Sequence, residues 1–487
     1  MRGVLLAGIA PSSLRKPSSF NTRARGRVKY FPPFTPPAPV CYGHAEMADE
    51  QVHLVAVIGA GPAGLFATRA LAAQGCRVVL INRDVKPGGL AEYGIFLNKY
   101  KMKGGLRRQF QKILSDPRVT YLGHVTVAER GDLTVEALAG MGFDALVFAI
   151  GAQGTKYLGI EGERLPGVYH AKDLVYHYNR LPPFSERPFP MGRRVAIVGV
   201  GNVMVDIANY CAHFCDVDEV IAVARRGPFE KAYDDREFED VEDAFDLALY
   251  REELERIRPR LEAAGQNPDE PMAAAAARGE PSPRCRTRLR FRFLASPRRV
   301  VAENGRVVGL EVEETRLERK GDRVAAVGTG VTDVIPCDTV VFAVGDRVDE
   351  HAGLPYRDGL YLTVPGDDPA GAYQVLDETA GKARAGVYVV GWARKASDGV
   401  VGRARLDAET GIKHVAAFLA ERPKRPLAEA ERVVDGLRRA LAERGTAVVD
   451  YPAVQRLEAV ERARATADRV EEFKFSSDRE MLDQLRG

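Results

Sequence analysis

The Cys-x-x-Cys motif is absent from this sequence. The six cysteines are scattered, and no two of them form Cys-x-x-Cys: Cys41, Cys76, Cys211, Cys215, Cys285 and Cys337. This spacing argues against a disulfide framework and against a zinc ribbon, and it is typical of a reducing compartment. Cys211 and Cys215 flank His213 on a predicted helix, which we interpret as ordinary helix packing. The sequence therefore predicts no metal site.

Long apolar runs and a strong charge imbalance are also missing. No apolar stretch approaches the roughly 20 residues of a membrane-spanning helix, so we expect a soluble protein without a membrane span. A net charge of +3 gives no support to a nucleic-acid binder. The 487 residues, 45% of them hydrophobic and 28% charged, predict an ordinary globular chain of two to three domains.

Acidic residues are absent before Glu46, whereas arginine and serine are frequent there. Such a composition is typical of a transit peptide, which would place the protein in the mitochondrial matrix. We prefer the interpretation that residues 1–50 are a disordered leader, or that the start is mis-set and Met47 is the initiator. The predicted location is then the cytoplasm.

The stretch "VAVIGAGPAGLFATRAL" contains the first strong motif. A predicted strand at 52–58 ends in Gly59, Gly61 and Gly64, and a helix begins near Pro62. Glycines at this spacing allow a tight turn and a close approach of a pyrophosphate to a helix N-terminus. The next predicted strand ends at Asn82, where an acid usually holds a ribose, and Asp84 follows two residues later. We predict a dinucleotide site with a weaker ribose anchor.

A second copy of the motif is "RRVAIVGVGNVMVDIANYCAHF". Gly199 and Gly201 form the turn, and Met204 stands in place of the third glycine. The following predicted strand ends in Arg225 and Arg226, without an acid. Paired guanidinium groups suit a 2′-phosphate, so this site is predicted to bind NADP(H). The alternative is two solvated surface arginines.

Two further segments share one pattern, an acid followed by a buried strand and a glycine: "FDALVFAIGAQG" (143–154) and "CDTVVFAVGDRV" (337–348). They mark where the chain passes between two nucleotide-binding domains. We predict an α/β fold of two Rossmann-like domains, the NADP domain inserted in the FAD domain. The predicted parts are 51–155 (FAD domain), 156–336 (NADP domain) and 337–487 (return to the FAD domain, with a C-terminal helical extension).

The combined motifs resemble a known family, the adrenodoxin reductase type of ferredoxin–NADP(+) reductase, among the glutathione-reductase-like flavoproteins. The motifs that carry the resemblance are "VIGAGPAG", "KPGGLAEYGI", "AIGAQGTKYLGIEGERLPGVYHAKDLVYHYN", "VGVGNVMVDIA", "ARRGPFEKAYDDREF", "GWARKASDGVVG" and "SSDREMLDQL". The resemblance covers residues 52–487, with a weak stretch around 255–290.

The resemblance implies further cofactor contacts. Those implied for FAD are Ala63, Asn82, Leu90, Val127, Trp392, Gly399, Val400 and Val401. Those implied for NADP are Gly201, Asn202, Val203, Arg225, Arg226, Glu237 and Gly399. It also implies that Trp392, the only tryptophan, opens a segment crossing the isoalloxazine region. On the residues alone, this ring equally suits core packing.

The sequence departs from the family at two places. Asn82 replaces an acid, and "LNK" (97–99) replaces Pro-Asp-His, so that Lys99 stands where relatives have a histidine proposed for proton relay. Asp206 matches the family's helix acid and is the one candidate catalytic residue. An interdomain hydrogen-bonding role for Asp206 is an equal alternative.

The resemblance implies an FAD enzyme that moves electrons between NADPH and a one-electron carrier such as an acidic ferredoxin. No cysteine cluster in the sequence suits an iron–sulfur centre, so the carrier is expected to be a separate protein. The basic run 284–293 could dock it, or be a solvated strand. The rival functions are an electron-input subunit of a larger redox complex and a non-catalytic nucleotide-binding protein. A disulfide reductase is disfavoured because this sequence lacks the Cys-x-x-Cys motif that such an enzyme needs. The oligomeric state and the direction of electron flow stay open.

Overall fold

Continuous apolar runs form the centre of a six-stranded sheet, the first sheet. A computed structural model of the protein describes residues 50–278, 285–321, 323–395 and 401–486. Strands buried on both faces are apolar throughout, which is why the short runs around residues 55 and 147 form strands. The strand order is Gln374–Asp377, Lys382–Val389, Ala145–Phe148, Leu54–Ile58, Arg77–Ile81 and Val119–Leu122. All neighbours are parallel except the first pair.

A second sheet of five parallel strands follows the second glycine motif. Its order is Arg288–Arg292, Glu219–Val223, Arg194–Val198, Thr339–Phe342 and Val168–His170. A three-stranded antiparallel sheet packs against one face of it and is formed by Ala295–Glu303, Arg306–Lys320 and Arg323–Pro336. The second sheet therefore has its own apolar core.

The chain crosses between the sheets twice. It leaves the first sheet after Ala145–Phe148 and resumes it at Gln374–Asp377. The two crossing segments pair with each other, Gly154–Thr155 antiparallel to Asp346–Arg347. The predicted α/β class, with one dinucleotide-binding sheet inserted in the other, is confirmed.

One predicted boundary needs a correction. We placed the return to the first domain at residue 337, but Thr339–Phe342 pairs with Arg194–Val198 and lies in the second sheet. Its four buried residues fill the position between two other second-sheet strands, so the return to the first sheet comes only after this strand. The remaining domain boundaries stay predictions, and the proposed leader lies outside the described residues except for Glu50.

Helices cover both faces of the first sheet. One face packs against Pro62–Ala72, Val401–Ala420 and Tyr451–Asp468, and the other against Leu427–Glu443. The other helices are Leu90–Tyr93, Tyr100–Leu114, Val135–Ala139, Ala171–Tyr178, Asn202–Phe214, Asp235–Phe238, Leu247–Ala263, Asp269–Ala276 and Asp478–Arg486. Two small strand pairs complete the structure, Gln51–Val52 with Arg425–Pro426 and Tyr356–Arg357 with Leu360–Tyr361. None of the helices described has both the length and the apolar character needed to cross a membrane.

Buried charges tie the C-terminal helices to the loop after Arg77–Ile81. Lys86 donates to Glu461 at 2.5 Å, and Lys474 lies 2.9 Å from Glu92. Burial alone would raise the pKa of Glu92, but the charges of Lys474 and Lys86 outweigh it and lower this pKa. Breaking one partner of such a pair would leave an uncompensated buried charge. The network therefore holds the loop that leads into helix Leu90–Tyr93.

Candidate functional site

In the first glycine turn, Gly64 packs against the backbone of Gly59, whereas Gly61 faces open space. A Cβ at Gly64 would sit 1.8 Å from the carbonyl oxygen of Gly59, so no larger residue fits there. Gly61 caps helix Pro62–Ala72, and a Cβ on it would meet only the Gly89 Cα, at 4.0 Å. The free N–H groups of this helix therefore face open space, as an anion site requires.

A cavity that is partly open to solvent extends from this turn, with about 1060 Å³ of empty space when the adjoining solvent is included. Eight of the residues predicted for FAD line it: Gly59, Gly61, Ala63, Asn82, Leu90, Val127, Trp392 and Val401. Gly64 supports the turn from behind, and Gly399 and Val400 lie outside the described residues. The structure thus gathers predicted residues from four separate segments around one cavity.

Trp392 reaches the cavity because of the glycine before it. Gly391 has φ +66°, a backbone conformation that favours glycine, and a Cβ there would lie 2.5 Å from the Ala63 Cβ. The Gly391 N–H donates to Asp407 at 2.6 Å, which holds the turn. The indole N–H of Trp392 is buried and has no hydrogen-bond partner among the described residues. A buried donor without a partner is costly, so this N–H favours a bound group that accepts it.

Asn82 is buried and joins two loops of the cavity wall. Its Oδ1 accepts from the Ala60 N–H at 2.9 Å, and its Nδ2 donates to the carbonyls of Asp84 and Lys86 at 2.8 and 3.1 Å. An acid could not donate these last two bonds. Asn82 therefore supports the glycine turn through the protein, and its predicted ribose contact stays a prediction.

Five polar residues lining the cavity were not included in our predicted site: Arg83, Asp84, Thr126, Gln153 and Asp349. Arg83 and Asp84 form an ion pair of 3.0 Å directly after Asn82, and Gln153 and Asp349 come from the two crossing segments. The strand–glycine pattern marked both crossings, and this signal could have suggested Gln153. Asp349 lies beyond the second pattern, and its position depends on the pairing of the crossings.

The second glycine turn has the same arrangement but is more open. Gly201 caps helix Asn202–Phe214, and a Cβ on it would meet nothing within 4 Å. Val203 is exposed, whereas the Asn202 side chain accepts from the Asp234 N–H at 2.7 Å. Met204 is fully buried in the core beneath the second sheet. The turn therefore presents backbone N–H groups at an accessible helix end.

Arg225 and Arg226 follow strand Glu219–Val223 at its carboxyl end. Arg225 is exposed and Arg226 half-buried. Among the described residues, no carboxylate lies within ion-pair distance of either guanidinium group. Unpaired arginines beside a glycine turn favour an anionic ligand over a purely structural role.

An ion pair connects the two halves of the site. Lys99, which caps helix Tyr100–Leu114, pairs with Glu237 and lies 3.1 Å from Asp240, both in the segment after the second nucleotide turn. Burial raises the pKa of Asp206 to about 7, with Glu237 and Asp240 adding to the rise and Lys99 opposing it. Asp206 can therefore exchange a proton near neutral pH. The predicted contact between Glu237 and NADP stays a prediction.

The basic run 284–293 is largely neutralised by neighbouring acids. Arg286 pairs with Asp216 at 3.0 Å, Arg290 with Glu219 at 2.9 Å and Arg292 with Asp333 at 2.8 Å. Arg284 lies outside the described residues. These ion pairs therefore favour the interpretation of this run as a structural strand over its interpretation as a docking surface for an acidic carrier protein.

Comparisons with known proteins agree with this geometry. A family model described as pyridine nucleotide-disulphide oxidoreductase matches residues 53–246. The NADPH-ferredoxin reductase FprA of Mycobacterium leprae is 29% identical over 401 residues, 75% of this chain and 84% of that protein. The mitochondrial NADPH:adrenodoxin oxidoreductase of Salvelinus fontinalis is 29% identical over 390 residues, 71% of this chain and 74% of that protein.

Among solved structures, FprA of Mycobacterium tuberculosis in complex with NADPH superposes with a TM-score of 0.75 and 27% identity. The match covers 90% of this chain and all of that one. Both glycine turns, the crossing segments and these matches define a two-dinucleotide-domain flavoprotein fold. Within that class, the chain is similar to NADPH-ferredoxin reductase FprA and to mitochondrial NADPH:adrenodoxin oxidoreductases, which supports the resemblance to the adrenodoxin reductase type of ferredoxin–NADP(+) reductase.

Proposed function

We propose that this protein is an FAD-dependent oxidoreductase that passes electrons between NADPH and a separate iron–sulfur carrier protein of the ferredoxin type. The observation that carries the proposal is the pair of unlike nucleotide turns in one chain. One opens into a walled cavity suited to a resident cofactor, and the other lies at an accessible surface suited to a diffusing nucleotide.

The chain's own residues bind and shield the FAD. The helix end at Gly61 receives the pyrophosphate, and Asn82 holds the turn in place. Ala63, Val401 and the Trp392 ring give the cavity an apolar wall that limits access of water. FAD, when bound, accepts two electrons as hydride and releases them singly, which matches a nicotinamide donor to a one-electron carrier.

The second turn selects and orients NADPH. Arg225 and Arg226 bind the 2′-phosphate through charge-assisted hydrogen bonds, and the helix end at Gly201 receives the pyrophosphate. Lys99, at the start of helix Tyr100–Leu114, pairs with Glu237 in helix Asp235–Phe238. This ion pair connects the two nucleotide-binding domains and thereby restrains the distance between the two bound nucleotides.

The finer assignment is ferredoxin–NADP(+) reductase activity. The FprA and adrenodoxin oxidoreductase relatives are named for NADPH and for ferredoxin or adrenodoxin, and this sequence lacks a cysteine cluster for an iron–sulfur centre of its own. Hydride transfer needs no protein proton. Asp206 is therefore assigned to proton exchange or to charge balance beside Lys99, rather than to the hydride step.

Anaerobic NADPH-driven reduction of purified ferredoxins and flavodoxins tests this function. The expected result is a yellow protein that reduces at least one [2Fe–2S] or [4Fe–4S] ferredoxin with NADPH and only slowly with NADH. A colourless protein, or a flavoprotein that reduces artificial dyes but none of these carriers, would contradict the proposal.

A further inference from the structure

Three potential metal ligands meet on the side of the second sheet, away from the glycine turn. His213 lies at the end of helix Asn202–Phe214, Asp243 in the short turn Glu239–Ala244, and Cys285 just before strand Arg288–Arg292. The ligand atoms of these three residues all lie within 4.8 Å of one another, with His213 Nε2 2.9 Å from an Asp243 carboxylate oxygen. Small adjustments would bring all three to one ion.

A second observation concerns the other nitrogen of the same imidazole. His213 Nδ1 lies 3.1 Å from the Asn209 carbonyl oxygen and 2.8 Å from its side-chain oxygen, one helical turn earlier. Two acceptors on this side hold a proton on Nδ1, so Nε2 faces Asp243 and Cys285 and supplies the lone pair for a metal once it loses the proton that it donates to Asp243. A ligating histidine in proteins is almost always oriented by such a bond from its distal nitrogen.

The ligand chemistry narrows the choice of metal. Imidazole, thiolate and carboxylate together suit Zn²⁺ and disfavour Mg²⁺ and Ca²⁺, which take oxygen ligands. Cys285 and Asp243 are half-buried and His213 is exposed, so an ion can enter from solvent. The Cys285 thiol donates a 3.5 Å hydrogen bond to the Thr287 carbonyl, and metal binding would release that proton to solvent.

We propose that His213, Asp243 and Cys285 form a Zn²⁺ site, with water as the fourth ligand. The ion would connect the end of the second nucleotide helix to the edge strand of its sheet. Without an ion, His213 and Asp243 form an ordinary ion pair, with the Cys285 thiol as a hydrogen-bond partner of His213 and not as a thiolate ligand. The involvement of the thiol therefore separates the two interpretations.

Zinc titration of the purified flavoprotein tests the site. The protein is freed of metal with a chelator, and ZnCl₂ is added in competition with a chromogenic chelator. We expect one tightly bound zinc per chain. Cys285→Ser and His213→Ala should abolish that stoichiometric binding, and Asn209→Ala should weaken it about 10- to 100-fold, the usual effect of removing an orienting partner.

Cys215→Ser is the matched control, because it removes another half-buried thiol two residues from His213. It should bind zinc like the wild type. Flavin content and circular dichroism report whether each variant folds. If Cys285→Ser does not fold, Co²⁺ added to the wild type should still give a cobalt–thiolate charge-transfer band. Zinc binding equal in wild type and Cys285→Ser, or no thiolate band with Co²⁺, would overturn the proposal.

Discussion

The two nucleotide turns have the same local geometry and different surroundings. At the first, Gly59 and Gly64 pack tightly on either side of the open Gly61, and the following strand leads into the buried Asn82, whose hydrogen bonds hold the cavity wall. At the second, Met204 takes the third glycine's place, and the strand ends in the unpaired Arg225 and Arg226 at the surface.

This difference suits the first site to a cofactor that stays bound and the second site to a nucleotide that exchanges. A cavity with walls from six chain segments can enclose a ligand on several sides, which suits a cofactor that stays bound. An exposed turn with two arginines gains its affinity from phosphate contacts, which suits a nucleotide that binds and leaves at each turnover. The predictions below test this contrast.

Replacing Gly61, the glycine that faces the predicted pyrophosphate position, should have the largest effect of these variants, a complete loss of bound flavin. Gly61→Val places a side chain in the open space where the pyrophosphate is predicted, without a clash inside the protein. We expect folded, colourless apoprotein. Absorption of the released flavin measures the content, and circular dichroism reports folding.

Gly201→Val is the matched variant at the second turn, where a Cβ also meets nothing within 4 Å. It should keep full flavin content and lose NADPH-dependent activity. If Gly61→Val keeps stoichiometric flavin, or Gly201→Val loses it, the assignment of the two turns is wrong.

The arginine pair should control nucleotide choice. In Arg225→Ala/Arg226→Ala, two charge-assisted bonds of roughly 1.5–3 kcal/mol each are lost with NADPH only. The efficiency kcat/KM for NADPH should fall by about two to four powers of ten in a dye-reduction assay, at ~1.4 kcal/mol per tenfold. The efficiency for NADH should change little.

Arg286→Ala serves as the control, since Arg286 is exposed at the amino end of the neighbouring strand and pairs with Asp216. It should leave both efficiencies near wild type. Equal losses for NADPH and NADH in the double variant would indicate a structural role for the pair.

Met204 should matter for stability and leave flavin binding intact. Its side chain is fully buried, so Met204→Ala leaves a cavity and should cost about 2–5 kcal/mol of unfolding free energy. Denaturant unfolding followed by circular dichroism measures this cost, with flavin content as the second readout. A neutral variant would show that the second turn does not depend on this packing.

Asp206 should give the smallest effect, and one that depends on pH. Its pKa in the folded state is raised to about 7, above that of an unfolded aspartate, so the folded state binds the extra proton. The stability contributed by Asp206 is therefore lost as pH rises from about 4 to 7. Asp206→Asn removes that loss.

The melting temperature of Asp206→Asn should exceed that of the wild type by several °C at pH 8, because a pKa raised from about 4 to about 7 corresponds to a few kcal/mol, at ~2–4 °C per kcal/mol. At pH 4 the two proteins should melt alike. Thermal melts at both pH values test this expectation, and an equal shift at both would exclude the titration of Asp206 as its cause.

Elements with strong local signals were predictable. Helix Pro62–Ala72 begins at the predicted residue, and His213 lies on a helix as predicted, Asn202–Phe214. Glycine turns and apolar runs act through backbone conformation and burial of nearby residues, which a sequence displays directly. The same reasoning identified both crossing segments as the places where the chain changes sheets.

The candidate site was only partly predictable. Its glycines and arginines stand at recognisable spacings, whereas Asp349 enters the cavity wall from a distant segment. Likewise, the basic run 284–293 offered no sign that Asp216, Glu219 and Asp333 would neutralise it. Such partners lie far apart in the chain, and only packing brings them together.

By itself, the sequence determined two nucleotide-binding turns, the order of the sheets and the preference for a phosphorylated nucleotide, because each rests on residues within one strand–turn–helix unit. The tertiary structure alone decided that Thr339–Phe342 joins the second sheet, that Lys99 pairs with Glu237, and that Cys285 lies beside His213 and Asp243. These outcomes depend on how sheets and helices pack across long separations in the chain, where contact is set by complementary shape and charge and not by spacing.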